Sequence, residues 1–249
     1  MAPYVASYVA RRAVTAAFTL LVATALAYSA MLLVPGDPAR AILGMEADPH
    51  AVAALQRELG LDRPPMERFG RWLAGVVRGD LGQSLRYQRP VAELVGQRLA
   101  LTVPLVAASL AVAGVAALVL GVAAATRPDT GADLAVRLGA LVGGSLPTFW
   151  IGLMLILLFS VRWGMLPSGG FSGWQDPLRA ARELALPVAT LALARTPLLA
   201  RMVRAGLLES LEQPYIRTAR AKGLGEGPVV LRHALRNALM PVMTVLGLE

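Results

Sequence analysis

Long uncharged stretches alternate with short charged ones along this chain. Three of these stretches, 13–34, 99–126 and 138–161, reach the roughly 20 mostly apolar residues that a helix needs to cross a bilayer. A fourth span is predicted over about 184–208, although it contains Arg195 and Arg201. A fifth, 238–249, is incomplete, so we expect the chain to be a fragment of a longer protein. The pattern predicts an all-α, polytopic membrane protein.

The distribution of basic residues predicts the orientation of these spans. With the N-terminus inside, the inner segments 1–12, 127–137 and 201–237 hold 11 basic residues, and the short outer segment 162–183 holds 3. Cytoplasmic loops carry the excess of Arg and Lys, so the N-terminus is predicted to be cytoplasmic. Three regions follow: a tail and first span (1–34), an extracytoplasmic insertion (35–98) and a core transmembrane domain (99–249).

The insertion is predicted to be helical. Asp48 can cap a helix that begins at Pro49, and Gly60 follows its end. A second stretch carries apolar residues at helical spacing: Met66, Phe69, Trp72, Leu73 and Val76. We interpret both helices as packing elements rather than as a binding site.

Composition agrees with a membrane protein and excludes several other classes. Hydrophobic residues make up 56% of the chain and charged residues 16%, against about 25% charged in soluble domains. The net charge of +8 could indicate nucleic-acid binding. Because the arginines flank the predicted spans, we expect a lipid bilayer as the partner and no nucleic acid. The chain has no cysteine, which excludes thiolate metal sites and disulfides.

The inner segment 209–237 is the most informative part of the sequence. A short helix is predicted over 215–222, ended by Gly223, and Pro228 can open the next helix. In the first helix, small side chains (Ala219, Ala221) alternate with basic ones. Such a helix between two spans could dock on a partner, the small residues permitting close approach and the charges orienting it. It could equally carry inner-face charge that meets only lipid headgroups.

Several motifs resemble those of permease subunits of ATP-binding-cassette (ABC) importers, in the dipeptide/oligopeptide/nickel branch. In chain order they are PGDP at 35–38, LGLDRP at 59–64, GDLG at 79–82 with Ser84, PV at 90–91, SLPTFWIGL at 145–153, YIRTARAKGL at 215–224 and HALRNAL at 233–239, followed by Pro241. The broader importer superfamily begins the loop with Glu-Ala-Ala. Here Arg217, Thr218 and Ala219 stand in those places, as is common in the peptide branch.

The resemblance implies a type I ABC importer permease-like helical bundle in a bacterial or archaeal plasma (inner) membrane. It implies a second, usually different, permease subunit, two cytoplasmic ABC ATPase subunits and an extracytoplasmic solute-binding protein. The segment 209–237 would be the coupling loop that the ATPases grip. Its candidate residues are Tyr215, Arg217, Thr218, Ala219, Arg220, Ala221, Lys222, Gly223 and His233.

The chemistry of ATP is expected to belong to other chains. No GxxxxGK phosphate loop precedes Lys222, the only lysine. We therefore expect a non-catalytic subunit that binds no cofactor, with ATP and magnesium used by the partner ATPases. The expected cargo is a di- or oligopeptide.

Three alternatives remain open at this stage. The importer could carry nickel or another small solute. The chain could be a truncated assembly subunit that does not transport. It could also be an intramembrane enzyme, although the three uncharged spans contain no acidic residue or histidine to serve such chemistry.

Individual polar residues suggest further expectations. Arg195 lies inside the fourth predicted span, where a charge is costly, so it either lines the translocation path or pairs with a neighbouring subunit. Ser145 and Pro147, in the third-span motif, are further candidates for the path. Asp129 and Asp133 are interpreted as a solvated charge cluster with nearby arginines.

Overall fold

In the computed structural model, residues 2–33, 36–44 and 46–247 are described. Pro35 of the first motif and the last two residues of the predicted fifth span lie outside these ranges. About 78% of the residues are helical, so the prediction of an all-α fold is confirmed. The chain divides into two compact units, Met1–Leu99 and Ala100–Glu249.

The first unit combines one long helix with short capped ones. Its elements are α1 (Ala2–Leu32), α2 (Pro38–Leu43), α3 (Pro49–Glu58), α4 (Pro65–Val77), β1 (Gln83–Ser84) and β2 (Arg89–Pro90). The Asp48 side chain caps α3 by accepting a hydrogen bond from the His50 amide (3.1 Å), as predicted. The pairing of β1 with β2 as a small antiparallel hairpin was not predicted.

An aromatic contact ties α4 to α1. The Tyr28 hydroxyl donates a hydrogen bond to the Pro65 carbonyl oxygen (3.0 Å). The Tyr28 and Phe69 rings lie 5.2 Å apart, and the Phe69 and Trp72 rings 6.2 Å apart. The second predicted helix of the insertion is therefore confirmed, and Phe69 on its apolar face contacts Tyr28 in the C-terminal part of α1.

The second unit contains the remaining helices. They are α5 (Val91–Thr126, shared with the first unit), α6 (Gly131–Ser145), α7 (Thr148–Leu155, continued by a π-helical turn Ile156–Arg162), α8 (Pro177–Leu211), α9 (Pro214–Ala221), α10 (Glu226–Pro228, continued by a π-helical turn Val229–Ala234) and α11 (Leu235–Leu246). The second helix of the inner segment begins two residues before Pro228, which was predicted to open it.

Within the described ranges, three helices are long and apolar enough to cross a membrane: Val5–Leu32, Val91–Thr126 and Pro177–Leu211. The span predicted over 138–161 consists of two helices, α6 and α7, which together are also long and apolar enough to cross a membrane as one bent span. α6 and α7 meet at an angle of 102°. The bend has a local cause, since proline disfavours helical backbone at the preceding residue and Leu146 is extended (φ −83°, ψ 127°) before Pro147.

α8 lies at the centre of the second unit, and glycines let its neighbours approach closely. A Cβ atom added at Gly121 of α5 would lie 2.7 Å from the side chain of Val203, and one at Gly143 of α6 would lie 2.6 Å from that of Pro197. On α8 itself, a Cβ at Gly206 would lie 2.9 Å from the Ala238 carbonyl oxygen. Backbone-to-backbone packing of this kind is typical of membrane helices.

Candidate functional site

The short helix α9 is held on a buried apolar cluster. Ile216 is 0% exposed and Ala219 is 7% exposed, and these residues lie on the same face of the helix because they are three positions apart. They belong to a cluster drawn from α5, α8 and the segment after α9. Its other buried members are Ala125, Leu207, Val229, Val230, Ala234 and Ala238.

The opposite side of α9 and its C-terminal end are exposed. The exposed candidates of the predicted docking segment are Tyr215, Arg217, Thr218, Arg220, Ala221, Lys222 and Gly223. The interpretation of Ala219 as part of that exposed face is wrong, because its helical position turns it toward the chain's own core. His233 is half-buried in the π-helical turn.

Two side-chain interactions fix the ends of this exposed segment. The Arg220 guanidinium donates two hydrogen bonds to the Glu226 carboxylate (2.8 and 3.1 Å). This pairing lowers the pKa of Glu226 and raises that of Arg220. At the other end, the Asn237 amide donates to the Tyr215 hydroxyl (3.0 Å). Gly223, which lies between Arg220 and Glu226 in the chain, has φ +81°, a conformation that favours glycine and ends the helix as predicted.

The three candidates for a translocation path lie on two elements. Arg195 is on the exposed side of α8, and Ser145 and Pro147 flank the bend between α6 and α7. The Ser145 hydroxyl donates to the Leu141 carbonyl oxygen of its own helix (2.9 Å). A cavity of about 190 Å³ opens nearby between α5, α6 and α8, lined by apolar residues and by Thr196 and Pro197, and none of the three candidates lines it.

The second unit contains a buried ion pair, Asp133–Arg204, that the sequence did not predict. Asp133 of α6 is 0% exposed and accepts two hydrogen bonds from the Arg204 guanidinium of α8. The interpretation of Asp129 and Asp133 as a solvated pair holds for Asp129, whose side chain is 91% exposed, and is wrong for Asp133. No local signal could reveal this pair, because its members are 71 residues apart in the chain.

Comparison with known proteins identifies the family. Residues 117–249 match the family described as binding-protein-dependent transport system inner membrane component, and residues 5–106 match its N-terminal domain. The chain belongs to this family. It is the permease component of an ABC importer, and the resemblance seen in its motifs is confirmed.

Relatives of known name cover almost the whole chain. A protein of Brucella suis named as a peptide transport system permease is 40% identical over 238 residues, which are 95% of this chain and 76% of that protein. The glutathione transport system permease protein of Salmonella paratyphi A is 39% identical over 246 residues, 98% of this chain and 77% of that protein. As an inner membrane component with several apolar helices, this permease is a multi-pass membrane protein.

Proposed function

We propose that this permease imports short peptides, including glutathione-like tripeptides, and that α9 is the helix on which cytoplasmic ABC ATPase subunits dock. The observation that carries the docking role is the two-sided environment of α9. One side is anchored on buried Ile216, while Arg217, Arg220 and Lys222 are exposed on the other. A rigidly held helix with a charged exposed face can transmit force to the spans next to it, which a mobile loop cannot do.

The proposal includes an orientation and a subunit composition. The N-terminus and the segment 209–237 are cytoplasmic, because this arrangement places the larger share of short-segment arginines inside. A second permease subunit completes the path, two ATPases hydrolyse ATP with magnesium, and an extracytoplasmic solute-binding protein delivers the cargo. Import rests on the family, whose description names transport that depends on a binding protein.

The assignment of peptides as the cargo is supported by the names of two similar proteins. These proteins, at 40% and 39% identity, are named for peptide and glutathione transport. Uptake of a labelled dipeptide, glutathione and nickel ions into cells with and without this permease tests this choice. Uptake of nickel alone would contradict the peptide assignment and leave the docking role of α9 untouched.

The docking role is tested by charge reversal at Arg217. No hydrogen bond or ion pair of the Arg217 side chain is observed within the described part of the chain, so Arg217→Glu changes the exposed face without breaking an internal contact. Affinity purification from gently solubilised membranes, with mass spectrometry, measures which subunits accompany the chain. We expect at least about tenfold less ATPase with unchanged recovery of the second permease, the loss that about 1.4 kcal/mol of binding energy produces.

The matched control is Arg78→Glu, which reverses one exposed arginine in the first unit. This variant is expected to retain the ATPase subunits fully. Full recovery of ATPase by both variants would show that the charge of Arg217 on the exposed face of α9 does not contribute to ATPase binding. Loss of both permeases from the membrane fraction would instead indicate failed insertion, which measurement of chain abundance in that fraction detects.

A further inference from the structure

The Asp133 carboxylate joins three parts of the second unit. It accepts hydrogen bonds from Arg204 of α8, one of them at 3.0 Å, and from the backbone amide of Asp129 in the turn after α5 (3.1 Å). The Arg137 guanidinium lies 3.2 Å from the same carboxylate. Asp133 is fully buried, and the side chain of Arg204 is 19% exposed.

Stability alone is a weak reason for such a pair. Replacing a buried ion pair by apolar side chains of similar volume is often neutral or stabilising, because the charges lose their hydration. α6 and α8 also have apolar packing of their own, with Val136 in one cluster with Leu199 and Ala200. What a two-pronged guanidinium–carboxylate contact adds is a fixed geometry between the two helices.

The Asp133–Arg204 pair lies about one turn of α8 away from Leu207, a residue of the buried cluster that holds α9. Arg204 is three residues before Leu207, so both side chains lie on one side of α8, about one turn apart. Leu207 is 0% exposed and belongs to the same cluster as Ile216 of α9. A continuous set of contacts therefore runs from α9 through the C-terminal part of α8 to the first turn of α6, and α6 ends at the bend before Pro147.

We propose that Asp133 is a positioning residue that makes α6 move together with α8 and α9 when the ATPases act. This inference rests on the proposed docking of ATPases on α9. α6 then carries the displacement to the bend between α6 and α7, the region of Ser145 and Pro147. Without the Asp133–Arg204 contact, α9 and α8 still move, and α6 lags behind them.

Spin labels can measure this coupling, because the chain has no cysteine of its own. Leu138→Cys on α6 and Gln213→Cys before α9 replace exposed residues and take one label each. The assembled importer, with cysteines of its other subunits replaced, is examined in nanodiscs without nucleotide and after trapping with ATP and vanadate. We expect the distance between the labels to agree in the two states to within about 2 Å, the size of small interface shifts.

Asp133→Asn removes the negative charge. We expect α6 in this variant no longer to move together with α8 and α9. The label distance should then differ between the states by about 5 Å, the rise of one helical turn, or its distribution should broaden by that amount. Arg137→Gln is the matched control, since Arg137 contacts the same carboxylate but does not lie on α8. This control should behave as the parent chain does.

If Asp133→Asn does not assemble, the double variant Asp133→Leu with Arg204→Met supplies an apolar pair that can pack without the polar contact. A distance that stays constant in either assembled variant overturns the proposal, and so does a parent chain in which the labels already move apart. Reduced yield with a constant distance would assign Asp133 a purely structural role. Failure of ATPase to copurify with the parent chain would instead refute the docking on α9.

Discussion

The two units of this permease bury their apolar residues in very different ways. Of the residues described in the first unit, Ala39 and Val52 are buried, and the other elements of that unit bury none of the apolar window of α1. In the second unit, glycines bring α5, α6 and α11 onto α8, and both buried clusters lie there. The second unit thus makes a core of its own, whereas the short elements of the first unit leave the apolar surface of α1 uncovered.

This difference predicts unequal costs for the same substitution in the two units. Ile216→Ala removes a fully buried side chain beneath α9 and is expected to cost about 2–5 kcal/mol in the second unit. Ile42→Ala, at a residue 40% exposed on α2, should cost well under half of that. The rate of cleavage after Lys222, the only lysine, by a lysine-specific protease measures how often α9 detaches from its buried cluster. Equal cleavage rates in both variants would contradict a rigid anchor for α9.

Close helix approach in the second unit can be tested at glycine. Gly121→Ala places a methyl group against Val203 and the Ala200 carbonyl oxygen and should destabilise by about 1–3 kcal/mol. Gly114→Ala, on the same helix with open space around it, should be neutral or slightly stabilising. Thermal unfolding in detergent, followed by size-exclusion chromatography, compares them. A drop of similar size for Gly114→Ala would remove the distinction between the two sites.

The smallest expected effect is in the first unit. Tyr28→Phe keeps the ring beside Phe69 and deletes the hydrogen bond to the Pro65 carbonyl oxygen, which is worth about 0.5–1.5 kcal/mol. Hydrogen exchange in the α4 peptide should accelerate by up to about tenfold while exchange in α8 stays unchanged. Tyr87→Phe, on an exposed tyrosine, should leave both unchanged. Faster exchange throughout the chain would indicate that the two units do not respond separately.

Much of this molecule could be predicted from local patterns. Uncharged runs predicted the long helices, the Asp-Pro pair at 48–49 predicted the start of α3, and Gly223 predicted the end of α9, because each depends on neighbours in sequence. The apolar run over 138–161 predicted a span, and Pro147 indicated a break in it. Local sequence could not give the size of that break, an angle of 102° between α6 and α7.

The sequence by itself determined the family, the all-α class and the segment that carries α9, since motifs and apolar periodicity are properties of contiguous residues. Only the tertiary structure decided that Ala219 lies inward with Ile216 while Ala221 is exposed. It alone decided that Asp133 is buried against Arg204. Both outcomes depend on which helices pack together, and for Asp133 the partner is 71 residues away. Burial, unlike helix formation, is set by contacts between distant parts of the chain.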